Sequence, residues 1–147
     1  MRILLFIFSA FLISFSVSAQ EESDLYGTWL TPDKNAKIKF YKANNGKVYG
    51  KIVWLEEPKN EDGTTKKDVE NPDKSLRDRE IMGLKLFKAF EYKGKLKWED
   101  GTVYDAESGK TYSCEMELKD MNTLKVRGYV GISMLGRTET FTRAEKK

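Results

Sequence analysis

Histidine is absent from the 147 residues, and cysteine occurs once, as Cys114. The first absence removes every catalytic triad or dyad built on imidazole. Together the two leave no Cys/His zinc cluster, and one thiol allows no internal disulfide. A charge of one sign is also missing: 26 Lys and Arg face 23 Asp and Glu, a net of only +3. Nucleic-acid binding calls for a clustered basic stripe, whereas these lysines are scattered at alternate positions, as on solvated strand faces. No repeat or low-complexity tract interrupts the chain. What is present is ample for a core, with 39% hydrophobic and 12% aromatic residues. The length suits one domain, which at this size buries about two thirds of its unfolded surface and needs no disulfide.

The N-terminus reads as an address. Met1-Arg2 precedes an apolar run from Ile3 to Ile13, then Ser14-Phe15-Ser16-Val17-Ser18-Ala19 and the acidic Gln20-Glu21-Glu22. One positive residue, a short greasy stretch and small residues at the −3 and −1 positions form a secretory signal peptide, residues 1–19, cut after Ala19. An uncleaved anchor would need about 20 apolar residues, and the run ends short of that. Gln20 stands where a bacterial lipoprotein would carry a lipid-bearing cysteine. The expectation is an exported protein, periplasmic or secreted, with no transmembrane segment once the signal is removed.

From residue 25 onward the side chains alternate with period two, the mark of strands with one buried face. The clearest case is Tyr112-Ser113-Cys114-Glu115-Met116-Glu117-Leu118-Lys119, where Tyr, Cys, Met and Leu share one side. Further stretches run through Tyr26 to Leu30, Lys37 to Tyr41, Lys47 to Leu55, Leu84 to Tyr92, Lys95 to Trp98, Thr102 to Tyr104, Thr123 to Val130 and Arg137 to Arg143. These make about nine short strands. Between them lie turn formers: Asn44-Asn45-Gly46, Lys93-Gly94, Glu99-Asp100-Gly101, Glu107-Ser108-Gly109 and Asp120-Met121-Asn122. The pattern predicts an all-β fold, one antiparallel barrel of about eight or nine strands over residues 25–143, closed because closure leaves no exposed sheet edge. The exception is Glu56 to Met82, a long charged loop whose segment from Ser75 to Ile81 is expected to make a helical turn capped by Ser75 or Asp73.

Gly27-Thr28-Trp29 opens the first strand and Arg143 closes the last. In a small barrel such a Trp can plug one end while the Arg stacks across its ring, a contact worth about 0.5–2 kcal/mol. The bland alternative is a core Trp and a solvated Arg.

An ordered set of short motifs carries a wider likeness. Gly27-x-Trp29, Gly50-x-Ile52, Asn71-Pro72-Asp73 with Leu76-Arg77, Gly83-Leu84, Gly101 before Val103-Tyr104-Asp105, Gly109-Lys110-Thr111-Tyr112, Val126-Arg127-Gly128-Tyr129 after Leu124, and Gly136-Arg137 together resemble the bacterial domain-of-unknown-function 2147 family. The likeness covers about residues 25 to 143. It implies an exported, lipocalin-like β-barrel and no assigned activity. Two positions depart from it: Glu80 and Ala106 stand where the family often has proline, which implies looser turns here.

Several residues invite a chemical reading. Asp62, Asp68, Asn71 and Asp73 in the long loop could gather oxygen around a hard cation, but their spacing is not that of an EF-hand and Lys66, Lys67 and Lys74 stand among them. A solvated loop with a turn at Asn71-Pro72-Asp73 is preferred, and no metal or cofactor is expected. Glu115 and Glu117 share a solvent face rather than a glycosidase geometry, and Ser108-Gly109-Lys110 lies on a turn with nothing to depress the lysine. The absence of a catalytic constellation points away from an enzyme. Cys114, on the buried side, reads as a small hydrophobe. Arg77, Asp105, Arg127 and Arg137 are the polar candidates for a pocket, where an Arg fork suits a carboxylate or phosphate head. Their alternative is salt bridging, Asp105 with Arg77 or Arg127, to tie the long loop down. The aromatics Trp54, Trp98 and Tyr112, with Phe40 and Phe90, either line a cavity or fill it. A barrel of this size can be packed solid or hold one small ligand. The leading expectation is a binder of a small apolar or amphipathic molecule, and the alternative is a packed interaction module that contacts another envelope protein.

Overall fold

The computed structural model describes residues 21–144, so the expected signal peptide and its cut after Ala19 lie outside the described residues. Eight strands follow one another: β1 (Gly27–Leu30), β2 (Ala36–Lys42), β3 (Val48–Leu55), β4 (Lys85–Tyr92), β5 (Lys97–Asp105), β6 (Lys110–Asp120), β7 (Thr123–Tyr129) and β8 (Arg137–Arg143). Each pairs antiparallel with the next, and β1 pairs with β8 through Trp29 opposite Arg143 and Leu30 opposite Thr142, closing the barrel. No described helix is long and apolar enough to cross a membrane.

The period-two pattern places the walls as expected. On β6, Cys114, Met116 and Leu118 are buried between more exposed neighbours, and on β2 the same holds for Ile38 and Phe40. The count is eight, within the expected eight or nine, because the stretches around Trp98 and Val103 form one continuous β5. The turn former Asp100 does adopt a left-handed φ of 60°. It bends the strand instead of ending it, since the register against β6 shifts between Trp98 and Gly101. A bulge of this kind increases twist and keeps the ladder going. Gly101 is needed just there: a Cβ would sit 2.4 Å from the Phe90 ring.

The hairpins alternate between two ends. One end is packed shut. A 3-10 turn, Glu22–Leu25, lies across it, and the Trp29 indole Nε1 donates to the Leu25 carbonyl at 2.8 Å. The Arg143 guanidinium stacks on the Trp29 ring, 4.1 Å from its centroid, and donates to the carbonyls of Tyr26, Asp24 and Met121. Above this seal Phe40, Phe90, Trp98, Met116 and Leu124 are almost completely buried. The other end carries the loops after β1, β3, β5 and β7.

The longest of these joins β3 to β4. Two isolated antiparallel bridges, Lys59 with Thr65 and Lys67 with Glu80, give it internal order. Where a helical turn was expected over Ser75 to Ile81, only a three-residue 3-10 turn forms, at Lys74–Leu76, with the Asp73 carboxylate accepting from the Ser75 backbone N–H at 2.9 Å and the residues beyond it leading into the bridge of Lys67 with Glu80. The expected Asn71-Pro72-Asp73 turn is closed by Asp73 N–H donating to Asn71 Oδ1 at 2.9 Å.

Candidate functional site

A cavity of about 1580 Å³ opens at the unsealed end. Its lining runs from the barrel interior out over residues 31–35 and the long loop, so the volume, above the roughly 300–1,000 Å³ of a small-molecule site, includes space open to solvent. Its floor is apolar. Ile38, Ile52, Phe87, Val126 and Phe141, one each from β2, β3, β4, β7 and β8, are buried and line it. Phe87 meets Phe40 edge-on at 5.0 Å and Phe141 at 6.0 Å, so these rings divide the packed half from the hollow half. Gly128 lines the wall, and a Cβ there would meet only Tyr112 and Val103 atoms at 3.8 Å, which is ordinary contact.

Polar groups gather toward the rim. Alternation along β8 from Phe141 turns Glu139 and Arg137 to the cavity, and the Arg137 Nε lies 3.6 Å from Glu139 Oε1. Tyr112 lines the cavity as expected. Asp105 also lines it, but its carboxylate is held by its own turn, accepting from the Glu107 backbone N–H at 3.0 Å and from the Ser108 hydroxyl.

Four expected site residues lie elsewhere. Trp98 belongs to the packed half, fully buried beneath the floor and 5.2 Å from the Tyr92 ring. Trp54 is 38% exposed on the outer surface, where the Lys37 ammonium sits 5.0 Å over its ring. The register of β2 on β3 slips between Lys37 and Ile38, and one extra residue sends every side chain beyond it to the other face. Arg127 alternates with inward Leu124, Val126 and Gly128, so it points outward and donates to Thr138 Oγ1 at 2.6 Å. Arg77 is spent on the long loop, donating from Nε to the Asn71 carbonyl at 2.7 Å.

The tie between loop and barrel is also different from the expected Asp105 pairings. Asp68, which reads as a solvated loop acid, is completely buried. Its Oδ2 accepts from Arg79 Nε at 2.8 Å and from Asn71 Nδ2 at 2.8 Å, with a second Arg79 nitrogen at 2.7 Å; its Oδ1 accepts from the Tyr104 hydroxyl at 2.6 Å. Burial raises its pKa, but the hydrogen bonds from Tyr104, Asn71 and Arg79 outweigh that and hold the carboxyl below its usual value. A carboxylate so occupied is a fastener rather than a cation ligand. A second fastener is steric. Gly109, at φ 71°, faces the Glu70 carbonyl so closely that a Cβ would lie 2.0 Å from its oxygen.

Cys114 is buried, and burial together with the nearby Glu115 charge pushes its thiol up to about 12. It is wall material. The cavity residues that sequence reasoning missed include Ile38, Ile52, Phe87, Val126, Phe141 and Glu139. The signal for the last was available, since Glu139 is two positions from Phe141 on an alternating strand.

Comparison with known proteins agrees with this architecture. The family described as "Uncharacterized protein conserved in bacteria (DUF2147)" matches residues 27–143. A solved structure, protein HP1028 from Helicobacter pylori, described as belonging to the lipocalin family, is 26% identical. The match covers 82% of this chain and 83% of that one, with a TM-score of 0.71. No curated protein matches the sequence.

Proposed function

The chain belongs to the DUF2147 family of uncharacterized bacterial proteins, and from that premise we propose that its lipocalin-like barrel binds a small apolar or amphipathic molecule, as an exported carrier rather than an enzyme. The observation that carries this reading is the division of the interior, solid below Phe87 and open above it, with an apolar floor and a few polar groups at the rim. This is the usual make-up of a small-molecule site. The apolar part of the ligand rests on Ile52, Val126 and Phe141, while its polar end meets Glu139, Arg137 and Tyr112. The reading is supported by the likeness to a protein described as a lipocalin. A packed interaction module is less well supported, because it needs a filled interior. Export rests on the N-terminal pattern of residues 1–19.

The test is native mass spectrometry of the exported form purified from its own host, paired with displacement of the fluorescent apolar probe N-phenyl-1-naphthylamine. The reading expects a co-purifying small mass in one-to-one ratio whose removal opens a saturable probe site. Repeated absence of such a mass together with no saturable probe binding overturns it.

A further inference from the structure

The loop between β7 and β8 presents Val130, Ile132, Met134 and Leu135 with 72, 58, 85 and 78% exposure. Four large apolar side chains on six consecutive positions, at the tip of one hairpin, form the most concentrated exposed apolar feature among the described residues. A folded protein that leaves such a patch in water usually covers it with something.

The shape and layering of the hairpin say what. The tip is a protrusion built on a 3-10 turn, Ser133–Leu135, and not a groove that would receive a helix or strand. Below it, Tyr129 ends β7 on the outer face and Arg137 begins β8 with its side chain 88% exposed. Arg127 lies one step further down, and from residue 121 to residue 138 the chain carries Lys125, Arg127 and Arg137 with no Asp or Glu. Apolar tip, then an amphipathic aromatic, then cations is the order in which a bilayer presents hydrocarbon, interface and anionic headgroups. Glu115 lies directly opposite Arg127 and Glu139 comes within 3.6 Å of Arg137, but both carboxylates sit further from the tip than Arg137, whose side chain is the first charge below it. A second copy of the chain is a poorer occupant, since a stable dimer uses about 20–30 residues a side and this tip offers six.

We propose that the β7–β8 tip docks the barrel on an anionic lipid surface, with Val130, Ile132, Met134 and Leu135 in the outer hydrocarbon and the exposed Arg137 at the headgroups. Gly128 and Arg137 flank the tip and also line the cavity, so docking sets the mouth against the lipid. The inference stands whether or not the cavity holds a ligand.

The test is flotation of the exported form, its N-terminus established by mass spectrometry, with vesicles of phosphatidylethanolamine and phosphatidylglycerol and with vesicles of phosphatidylcholine alone. The expected result is binding to the anionic vesicles and weaker binding to phosphatidylcholine. The double variant Met134→Asp, Leu135→Asp should lose roughly tenfold or more in affinity for the anionic vesicles. Its Tm and its affinity for N-phenyl-1-naphthylamine should be unchanged. Ile132→Ser should act in the same direction if the double variant folds poorly. No vesicle binding, equal binding by wild type and variants, or equal binding to phosphatidylcholine would overturn the proposal. So would a dimer in sedimentation velocity that the double variant dissolves. Loss of probe binding without loss of flotation would count against the cavity alone.

Discussion

Asp68 shows how one residue fixes a loop of nearly thirty. The carboxylate is wholly buried and satisfied on both oxygens, so replacing it with Asn removes a charged acceptor and leaves the Arg79 guanidinium without its counter-ion. Arg79 is a third exposed, and water takes up part of the loss. Asp68→Asn should therefore cost about 1.5–3 kcal/mol, read from urea unfolding at pH 7. The pH dependence has a definite sign. The folded carboxyl titrates below its unfolded value, so its contribution is complete above that unfolded value, near pH 4, and is lost as pH falls through the depressed folded one. The gap between wild type and variant should narrow below about pH 4; a gap unchanged from pH 7 to pH 3 would contradict the assignment. The sequence placed Asp68 in a charged loop, and nothing local distinguished it from Asp62 or Asp73. A buried ion pair depends on Arg79 and Tyr104 arriving from elsewhere in the chain. Arg127 is a different case, because its outward direction was already legible in the alternation with Leu124 and Val126.

At the scale of elements, strands and hairpins were readable because period two reports a buried face directly. The bulges were not. Whether Glu99-Asp100-Gly101 turns the chain or merely bends it is decided by what β6 offers opposite, and the slip that turns Trp54 outward is likewise decided by β2. The merging of two stretches into β5 and the outward Trp54, where an inward one was expected, both come from that one dependence on a partner strand. The docking of the long loop hangs on another close approach. Gly109→Ala would drive a methyl into the Glu70 carbonyl at a backbone angle that alanine disfavours. The variant should keep its barrel but release the loop. Limited proteolysis should then cut within residues 56–84 much faster than in wild type, while circular dichroism in the far ultraviolet stays the same. Equal cutting rates would show that the loop is held without this contact.

For the molecule as a whole, the two ends of the barrel have separate tasks. The Trp29–Arg143 seal and the aromatic layer above it stabilise the closed half, which leaves the other half free to stay hollow under a fastened loop. From sequence the barrel and its topology were legible, but whether its interior was full was not, because filling depends on how far each inward side chain reaches across to the others. The claim on which the account rests is that the hollow half receives a ligand. It is tested most directly by titrating N-phenyl-1-naphthylamine into wild type and into Gly128→Leu, which adds bulk at a cavity-lining position where a Cβ meets only side-chain atoms at ordinary contact distance. A saturable single site is expected in wild type, weakened roughly tenfold or more in Gly128→Leu at unchanged Tm. Equal affinity in the two proteins, or no saturable site in either, would contradict it.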